Sequence, residues 1–359
     1  MPEAIWIDRS DELGPLAREL QSQASIGIDT EFLRERTFFP KLCLLQLSAA
    51  GRIWCVDTLR VGSLDALLPA LTAPGVRKFI HAARQDLEAL YLTARQVVSP
   101  VFDTQIAAAC TGMKPQVGYA ELVKTLLDVA IPKGQTRTDW SKRPLSRAQL
   151  EYAADDVLYL GSIAGELQRR LQRLGREHWV TEDCLELEEK RLYEPDPAQA
   201  WERLRGLAQL DPEPRGRAKA IAVWREKLAR ERDLPRAWIL PDAALFAIAQ
   251  ANPASLAALD AVQPMNDKLA ATLLEALAGS GAATDSEPAQ ELRPTPEQKA
   301  LLDRLTRIVD ARAAALEVSA ELLAPRGELK ALAMGRRDTH ALAGWRKDEI
   351  GSRLLAEIS

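Results

Sequence analysis

Short apolar runs of strand length alternate with helical spacing over roughly the first 190 residues. The strand-like runs cover residues 26–28, 42–47, 53–56 and 78–81. The middle two are joined by Ala-Ala-Gly-Arg, a turn sequence that predicts a β-hairpin. Helical spacing begins near Ser10 and again after residue 81. Strands with helices between them are typical of an α/β layer fold with a mixed sheet.

A long helix is predicted to begin at Ser146 and to fade near Gly175. Ser146 and Gln149 form a capping-box pattern, and Pro144 stands just before it. Apolar residues then recur at helical spacing through Leu160.

Beyond residue 193 the strand signals stop. Pro195 and Pro197 mark a linker, and a Gly-, Ser- and Pro-rich stretch marks a second one. The predicted organisation is an α/β domain over residues 1–193, a helical domain over 198–278, a linker over 279–295 and a second helical domain over 296–359.

The two helical segments show a weak internal repeat. Trp224-Arg225 followed by Leu240-Pro241-Asp242 resembles Ala313-Ala314 followed by Leu323-Ala324-Pro325. The second segment also contains Gly344-Trp345-Arg346.

Composition narrows the chemistry further. The chain has 359 residues, 47 % hydrophobic residues and no uncharged apolar run long enough for a membrane span. Its start, Met-Pro-Glu-Ala-Ile-Trp, lacks the features of a secretory signal, so we expect a cytoplasmic protein.

Four scattered cysteines indicate buried thiols in a reducing compartment. Only three histidines are present, so a bound metal would be held by carboxylates, which favours Mg²⁺ or Mn²⁺.

The net charge of −4 does not indicate a nucleic-acid-binding protein, but local basic stretches could still bind phosphate groups. One runs from Lys133 through Arg137 to Arg147, and another from Arg215 to Arg236. The alternative for both is a solvated helix face.

Asp29 and Glu31 follow the apolar run at 26–28, so both are expected to project from one face of a strand. Two carboxylates about 4 Å apart repel by ~4 kcal/mol at an effective dielectric near 20. A cation, or alternatively Arg34 or Arg36, must therefore neutralise them.

Asp86 is expected in the first turn of a helix, where it either binds a ligand or merely suits the helix dipole. Tyr152 and Asp156 are four residues apart on the long helix and share a face. Asp156 is therefore the expected ligand, and Asp155 the more exposed neighbour. His81 is expected to be a hydrogen-bonded structural residue.

The ordered set of Asp-x-Glu on a strand, Asp at a helix start and Tyr-x-x-x-Asp on a late helix resembles the tyrosine-bearing branch of the DEDD exonucleases. Asp-Thr-Glu-Phe, Leu-Cys-Leu-Leu-Gln-Leu-Ser, Phe-Asp-Thr-Gln and Thr-Asp-Trp-Ser resemble the ribonuclease D family in particular. This catalytic resemblance covers about residues 1–190. Both helical segments look like HRDC modules, the first more closely than the second.

The resemblance implies a ribonuclease-H-like exonuclease domain followed by two all-α HRDC-like domains. The metal ligands that it implies are Asp29, Glu31, Asp86 and Asp156, with Tyr152 orienting the attacking water. Two Mg²⁺ or Mn²⁺ ions would clamp the attacking and leaving oxygens of a phosphodiester. Asp57 and Asp103 are expected to be structural, the latter as a helix N-cap.

The implied activity is a metal-dependent 3′→5′ exoribonuclease that trims RNA such as tRNA precursors and releases nucleoside 5′-monophosphates. One alternative is a single-stranded DNA exonuclease, because HRDC-like modules also accompany DNA helicases. Another is a nucleic-acid-binding scaffold with a structural acidic cluster. Trp224, Trp238 and Trp345 could stack on bases or lie in helical cores. No membrane partner is expected, and the oligomeric state is open.

Overall fold

The computed structural model describes residues 4–132, 134, 138–279 and 294–358. Lys133 and Arg137 of the first basic stretch, and most of the expected linker at 279–295, lie outside these residues. The chain divides into two compact units. Unit 1 contains residues 1–33, 41–190 and 294–359, and unit 2 contains residues 34–40 and 191–293.

Unit 1 is built on one mixed six-stranded sheet in the order β1-β4-β3-β2-β5-β6. The strands are β1 (Ile5–Ile7), β2 (Ser25–Leu33), β3 (Lys41–Ala49), β4 (Arg52–Val56), β5 (Arg77–Ile80) and β6 (Val101–Asp103). β3 is antiparallel to both β2 and β4, whereas the β1–β4, β2–β5 and β5–β6 pairs are parallel. The expected mixed α/β sheet is confirmed, and so is the β3–β4 hairpin.

Helices pack around this sheet and then continue to the end of the chain. In residues 4–190 they are α1 (Leu13–Gln21), α2 (Thr58–Val61), α3 (Leu68–Leu71), α4 (Arg84–Ala94), α5 (Thr104–Cys110), α6 (Tyr119–Leu127), α7 (Arg147–Leu158), α8 (Leu160–Leu174) and α9 (Glu177–Leu187). Unit 2 has α10 (Pro212–Arg232), α11 (Arg236–Ile239), α12 (Asp242–Ala251), α13 (Leu256–Val262) and α14 (Asp267–Gly279). The last segment has α15 (Pro296–Leu316), α16 (Ala320–Leu323), α17 (Arg326–Ala333), α18 (Gly344–Arg346) and α19 (Ser352–Ile358). None of the described helices combines the length and apolar character that crossing a membrane requires.

The long helix expected from Ser146 to Gly175 is two helices, α7 and α8, with a break at Tyr159. Its start is as expected, because Ser146 and Gln149 form the reciprocal capping box. At the break, the Tyr119 hydroxyl accepts from the Tyr159 N–H and donates to the Asp155 carbonyl, both at 3.1 Å. The phenol is thus inserted between a donor and an acceptor four residues apart, which interrupts the helical hydrogen-bond ladder.

Helix α8 approaches strand β2 closely because Gly27 has no side chain. A Cβ atom at Gly27 would lie 3.2 Å from the Cβ of Leu160 and would overlap the Ser48 hydroxyl. Ser48 instead donates to the Val157 carbonyl at 2.8 Å, which ties α7 to strand β3. The end of α7 is thereby fixed on the face of the sheet that carries Asp29.

The two helical segments repeat the same succession of helices at a constant spacing. α10, α11 and α12 start at residues 212, 236 and 242, and α15, α16 and α17 start 84 positions later at 296, 320 and 326. At this spacing, Ile308 and Val309 are the sequence equivalents of Trp224 and Arg225. The sequence match of Trp224-Arg225 with Ala313-Ala314 is therefore out of register.

The segment from α15 to α19 shares a hydrophobic core with α5, α8 and α9 of unit 1. Trp345 is 2 % exposed and stacks on Trp179 with ring centroids 4.0 Å apart. Its indole N–H donates to the Asp183 carboxylate. The same carboxylate accepts hydrogen bonds from both terminal nitrogens of Arg346, at 2.6 and 2.9 Å. Trp345 is therefore a core residue, and the base-stacking interpretation of it is wrong.

The basic stretch of unit 2 is largely occupied by contacts within that unit. Arg225 is buried and donates to Asp242 and to the Leu240 carbonyl. Arg230 and Arg236 both donate to the buried carboxylate of Glu226. This part of the stretch is thus neither a free phosphate-binding surface nor a simple solvated face.

We predict that Tyr119→Phe, which removes the inserted hydroxyl, lowers the rate of the exonuclease reaction expected from the sequence. It should change the free energy of unfolding only slightly. The Tyr159 N–H and Asp155 carbonyl can then pair directly, so the loss of stability should be no more than about 1 kcal/mol. The end of α7 shifts as the gap closes, and turnover should fall by about tenfold. Urea unfolding and initial rates measure the two effects. A stability loss above about 2 kcal/mol with unchanged turnover would contradict this interpretation.

Candidate active site

Three of the four expected ligands come together at one point of unit 1. Asp29 and Glu31 project from β2, and Asp156 comes from α7. One carboxylate oxygen of each lies within 4.8 Å of the other two. All three residues are partly buried. Residues nearly 130 positions apart in the sequence thus share one small acidic cluster.

Asp86 reaches the cluster at an edge of β2 that its neighbouring strand leaves open. β5 pairs with β2 only through Ser25–Gly27, so the Thr30 N–H is not engaged in that strand pairing. The Asp86 carboxylate accepts from the Thr30 hydroxyl at 2.5 Å and also from the Thr30 backbone N–H. Asp86 lies outside the 4.8 Å group, but its charge acts on both Asp29 and Glu31.

Tyr152 stands on α7 one turn before Asp156, and its hydroxyl donates to the Asp156 carboxylate. The ring is half-buried, with its centroid 6.1 Å from that of Trp140. Trp140 is itself buried, so the phenol has an apolar flank and a polar tip at the cluster.

The site disfavours the charged form of every carboxyl group in the set. Burial raises the pKa of Asp29 well above its usual range, and the charges of Asp86, Asp156 and Glu31 raise it further. Burial, followed by the charges of Asp156 and Asp86, raises the pKa of Glu31 to about 9. Burial raises the pKa of Asp86 to about 7 against the hydrogen bond from Thr30. Burial likewise raises the pKa of Asp156 to about 7, opposed by the Tyr152 hydroxyl.

The direction of these shifts argues against the alternative that Arg34 or Arg36 neutralises the strand pair. An arginine counter-ion favours the charged carboxylate and lowers its pKa. The pKa values of Asp29 and Glu31 are both raised instead.

The two aspartates expected to be structural are structural. Asp57 is fully buried and forms a two-point salt bridge with Arg143, at 2.6 and 2.7 Å. Asp103 caps α5 by accepting from the N–H groups of Gln105 and Ile106. His81 is also hydrogen-bonded as expected, to the Thr104 hydroxyl and to a main-chain carbonyl.

The structure contradicts the exposure that the sequence predicted for Asp155. We expected it to be more exposed than Asp156, but Asp155 is only 7 % exposed, whereas Asp156 is partly exposed. The reason is that α7 is covered on more than one side, since it packs on the sheet and its Asp155 carbonyl is held by Tyr119. Burial, with the nearby charge of Glu151, raises the pKa of Asp155.

The donor set fits a hard divalent cation. All of its oxygens are carboxylate oxygens, which Mg²⁺ and Mn²⁺ prefer over nitrogen or sulfur ligands. Their raised pKa values show that the uncompensated charge is costly, and a cation would remove that cost. Among the described residues, this is the one group of three or more acidic, His or Cys side chains with ligand atoms so close together.

Comparison with known proteins identifies the family. A family model for 3′-5′ exonucleases matches residues 4–172, and one for the HRDC domain matches residues 215–279. A ribonuclease D from Granulibacter bethesdensis is 37 % identical over 99 % of this chain and 92 % of its own length. The chain belongs to the ribonuclease D family.

Other ribonuclease D relatives agree with this assignment. A ribonuclease D from Xanthomonas oryzae is 36 % identical over 98 % of this chain and 97 % of its own length. The crystal structure of Escherichia coli RNase D superposes with a TM-score of 0.89 at 28 % identity, covering 99 % of this chain and 98 % of that one.

The family resolves what the residues alone had left open. As a ribonuclease D family member, the chain is a 3′→5′ exoribonuclease with a helical HRDC domain after its exonuclease domain. Exonucleases of this family generally use divalent metals. One HRDC domain is matched, in unit 2, so a second one over residues 296–359 stays a prediction.

Sequence reasoning missed two residues that hold the elements of the acidic cluster together. Thr30 donates a hydrogen bond to the Asp86 carboxylate. Its position between Asp29 and Glu31 was the sequence signal that could have identified it. Tyr119 acts on α7 from a separate helix, and no local pattern points to it.

We predict that the metal-free enzyme loses stability as the pH rises. The pKa values of Glu31, Asp86 and Asp156 are raised in the folded state, so their favourable contribution is complete at low pH. It is lost progressively as the pH rises from the ordinary carboxyl range to about 7 for Asp86 and Asp156 and to about 9 for Glu31. In EDTA, the melting temperature should fall by on the order of 5 °C between about pH 6 and about pH 9.

Millimolar Mg²⁺ should reduce this fall, because the cation binds the deprotonated carboxylates. Differential scanning calorimetry across the pH range, with and without Mg²⁺, measures the effect. A melting temperature that rises with pH in EDTA, or a slope that ignores Mg²⁺, would argue against a strained acidic cluster.

Proposed function

We propose that this ribonuclease D family member trims the 3′ ends of structured RNA, tRNA precursors in particular, by two-metal-ion hydrolysis that releases nucleoside 5′-monophosphates. The observation that carries the proposal is the convergence of Asp29, Glu31 and Asp156, with Asp86 beside them, in a site that raises their pKa values. The Escherichia coli structure is described as that of an exoribonuclease involved in structured RNA processing, which supports the choice of substrate.

Two Mg²⁺ or Mn²⁺ ions, when bound, would neutralise charge on the phosphodiester and stabilise both the attacking and the leaving oxygen. Asp29, Glu31 and Asp156 would hold one ion. Asp29 and Asp86 would hold the other, with Thr30 fixing the Asp86 carboxylate.

Tyr152 has a separate role in the proposal. Its hydroxyl is anchored on the Asp156 carboxylate and flanked by the buried Trp140, so it has little rotational freedom. A hydroxyl held in this way can orient a water molecule for in-line attack on the terminal phosphodiester.

Unit 2 would supply affinity for the RNA. Its matched HRDC domain includes Trp238, which is 60 % exposed and can present its ring to an unpaired base. Trp224 is less available, since it packs against the unit 2 core and donates to Thr272. A weak grip linked to a catalytic unit by the same chain raises the local concentration of substrate without new catalytic contacts.

The cytoplasm is the proposed location. Its support is that Cys43, Cys55, Cys110 and Cys184 are all buried free thiols, as expected in a reducing compartment.

We predict that Asp29→Asn removes hydrolysis while leaving the fold intact. Loss of the carboxylate shared by both proposed ions should lower turnover by at least about a hundredfold. The melting temperature in EDTA should stay the same or rise, because one source of repulsion is gone. Asp128→Asn is the matched control, since Asp128 is an exposed residue at a helix end and Asn tolerates its left-handed backbone. Near-normal turnover of Asp29→Asn in Mg²⁺ would show that the site is misassigned.

A hydrolysis assay on different substrates distinguishes RNA from DNA as the polymer that is degraded. The substrates are a 3′-extended tRNA, a short single-stranded RNA and a DNA strand of matched sequence, each with Mg²⁺ and with EDTA. The proposal expects RNA to be shortened from its 3′ end to mononucleotides only when metal is present. A clear preference for DNA would overturn it, and so would binding of RNA without any loss of nucleotides.

A further inference from the structure

Gln46 is a buried polar residue that has no part in the proposed reaction. It lies in the middle of β3 and is 0 % exposed. Neither its amide nitrogen nor its amide oxygen has a hydrogen-bond partner among the described residues. Buried side-chain amides are normally satisfied, so an unpartnered one calls for an explanation. The flanking strand positions are filled by leucines, which carry no such cost.

The register of the sheet places Gln46 beside the acidic cluster. Gln46 lies directly opposite Asp29 on β2 and opposite Cys55 on β4. Directly opposed residues of antiparallel strands point to the same face, with Cβ atoms about 4.5–5.5 Å apart. The side chain of Gln46 is therefore on the same face of the sheet as Asp29 and next to it.

A contact with α7 identifies this face. Ser48, two positions along β3, shares the face of Gln46 and donates to the Val157 carbonyl of α7. Asp156 is the residue before Val157. Gln46 is thus covered by the helix that carries another of the clustered carboxylates.

Of the two residues in register with Gln46, Asp29 is the one that can use a donor. Burial raises the pKa of the Cys55 thiol to about 12, so this thiol is neutral and a weak partner. The Asp29 carboxyl group offers two oxygens and is the better acceptor of the two.

We propose that Gln46 is a positioning residue for Asp29: its side-chain amide lies beside the Asp29 carboxyl group and holds it in the orientation that binds a divalent cation. The inference rests on the proposed function, because it needs the cluster to bind metal. A polar group held ready in this way lowers the reorganisation needed on binding.

The test is Gln46→Met in the full chain, with Mg²⁺ binding measured by isothermal titration calorimetry. Methionine keeps the length of the side chain and removes an unsatisfied buried amide, so the melting temperature in EDTA should stay the same or rise. The affinity for Mg²⁺ should fall by about 10- to 100-fold, as for other groups that orient a metal ligand. Turnover should fall at low Mg²⁺ and recover toward the wild-type value at high Mg²⁺, with an unchanged KM for RNA.

Gln21→Met is the matched control. It makes the same substitution at an exposed residue of α1, whose amide donates to the Pro69 carbonyl away from the acidic cluster. It should leave the affinity for Mg²⁺ unchanged. If Gln46→Met does not fold, Gln46→Leu replaces it in the same measurement.

Two outcomes would overturn the inference, and they differ. Should Gln46→Met or Gln46→Leu bind Mg²⁺ as tightly as the wild-type chain, Gln46 has no positioning role, while the proposed function stands. Should the wild-type chain itself bind no Mg²⁺, the proposed function fails and the inference fails with it.

Discussion

Mutual repulsion between buried carboxylates is the constraint on which the rest of unit 1 depends. Asp29, Glu31 and Asp156 are held within 4.8 Å of one another, with Asp86 close enough to raise the pKa of two of them. Such a cluster is costly for the fold unless protons or cations remove its charge. A cation would relieve this cost, and exonucleases of this family generally use divalent metals.

The scaffold maintains the cluster through contacts that are not themselves acidic. β2 extends past the end of β5, which lets Thr30 hold Asp86 at the open edge. Tyr119 ends α7 directly after its acidic residues, and Ser48 ties that end to the sheet. Each contact joins elements that are distant in sequence, so the position of the carboxylates is a property of the whole α/β layer.

Local patterns predicted the parts of the site that local physics determines. The two-residue period of a strand placed Asp29 and Glu31 on one face, and the preference for polar caps identified Asp103. The break between α7 and α8 and the burial of Asp155 could not be read in this way. The break arises from Tyr119, a partner far away in the chain that no periodicity reveals. The burial of Asp155 depends on the packing around α7, which the helical period does not show. The resemblance to the ribonuclease D family supplied the roles, which the residues alone had left as alternatives.

The most direct test of the account is anomalous diffraction from crystals of the wild-type enzyme grown with Mn²⁺ and a short RNA that resists cleavage. The account predicts two anomalous peaks, one coordinated by Asp29, Glu31 and Asp156 and one by Asp29 and Asp86. Crystals that contain the RNA but show no anomalous density at these carboxylates would contradict it.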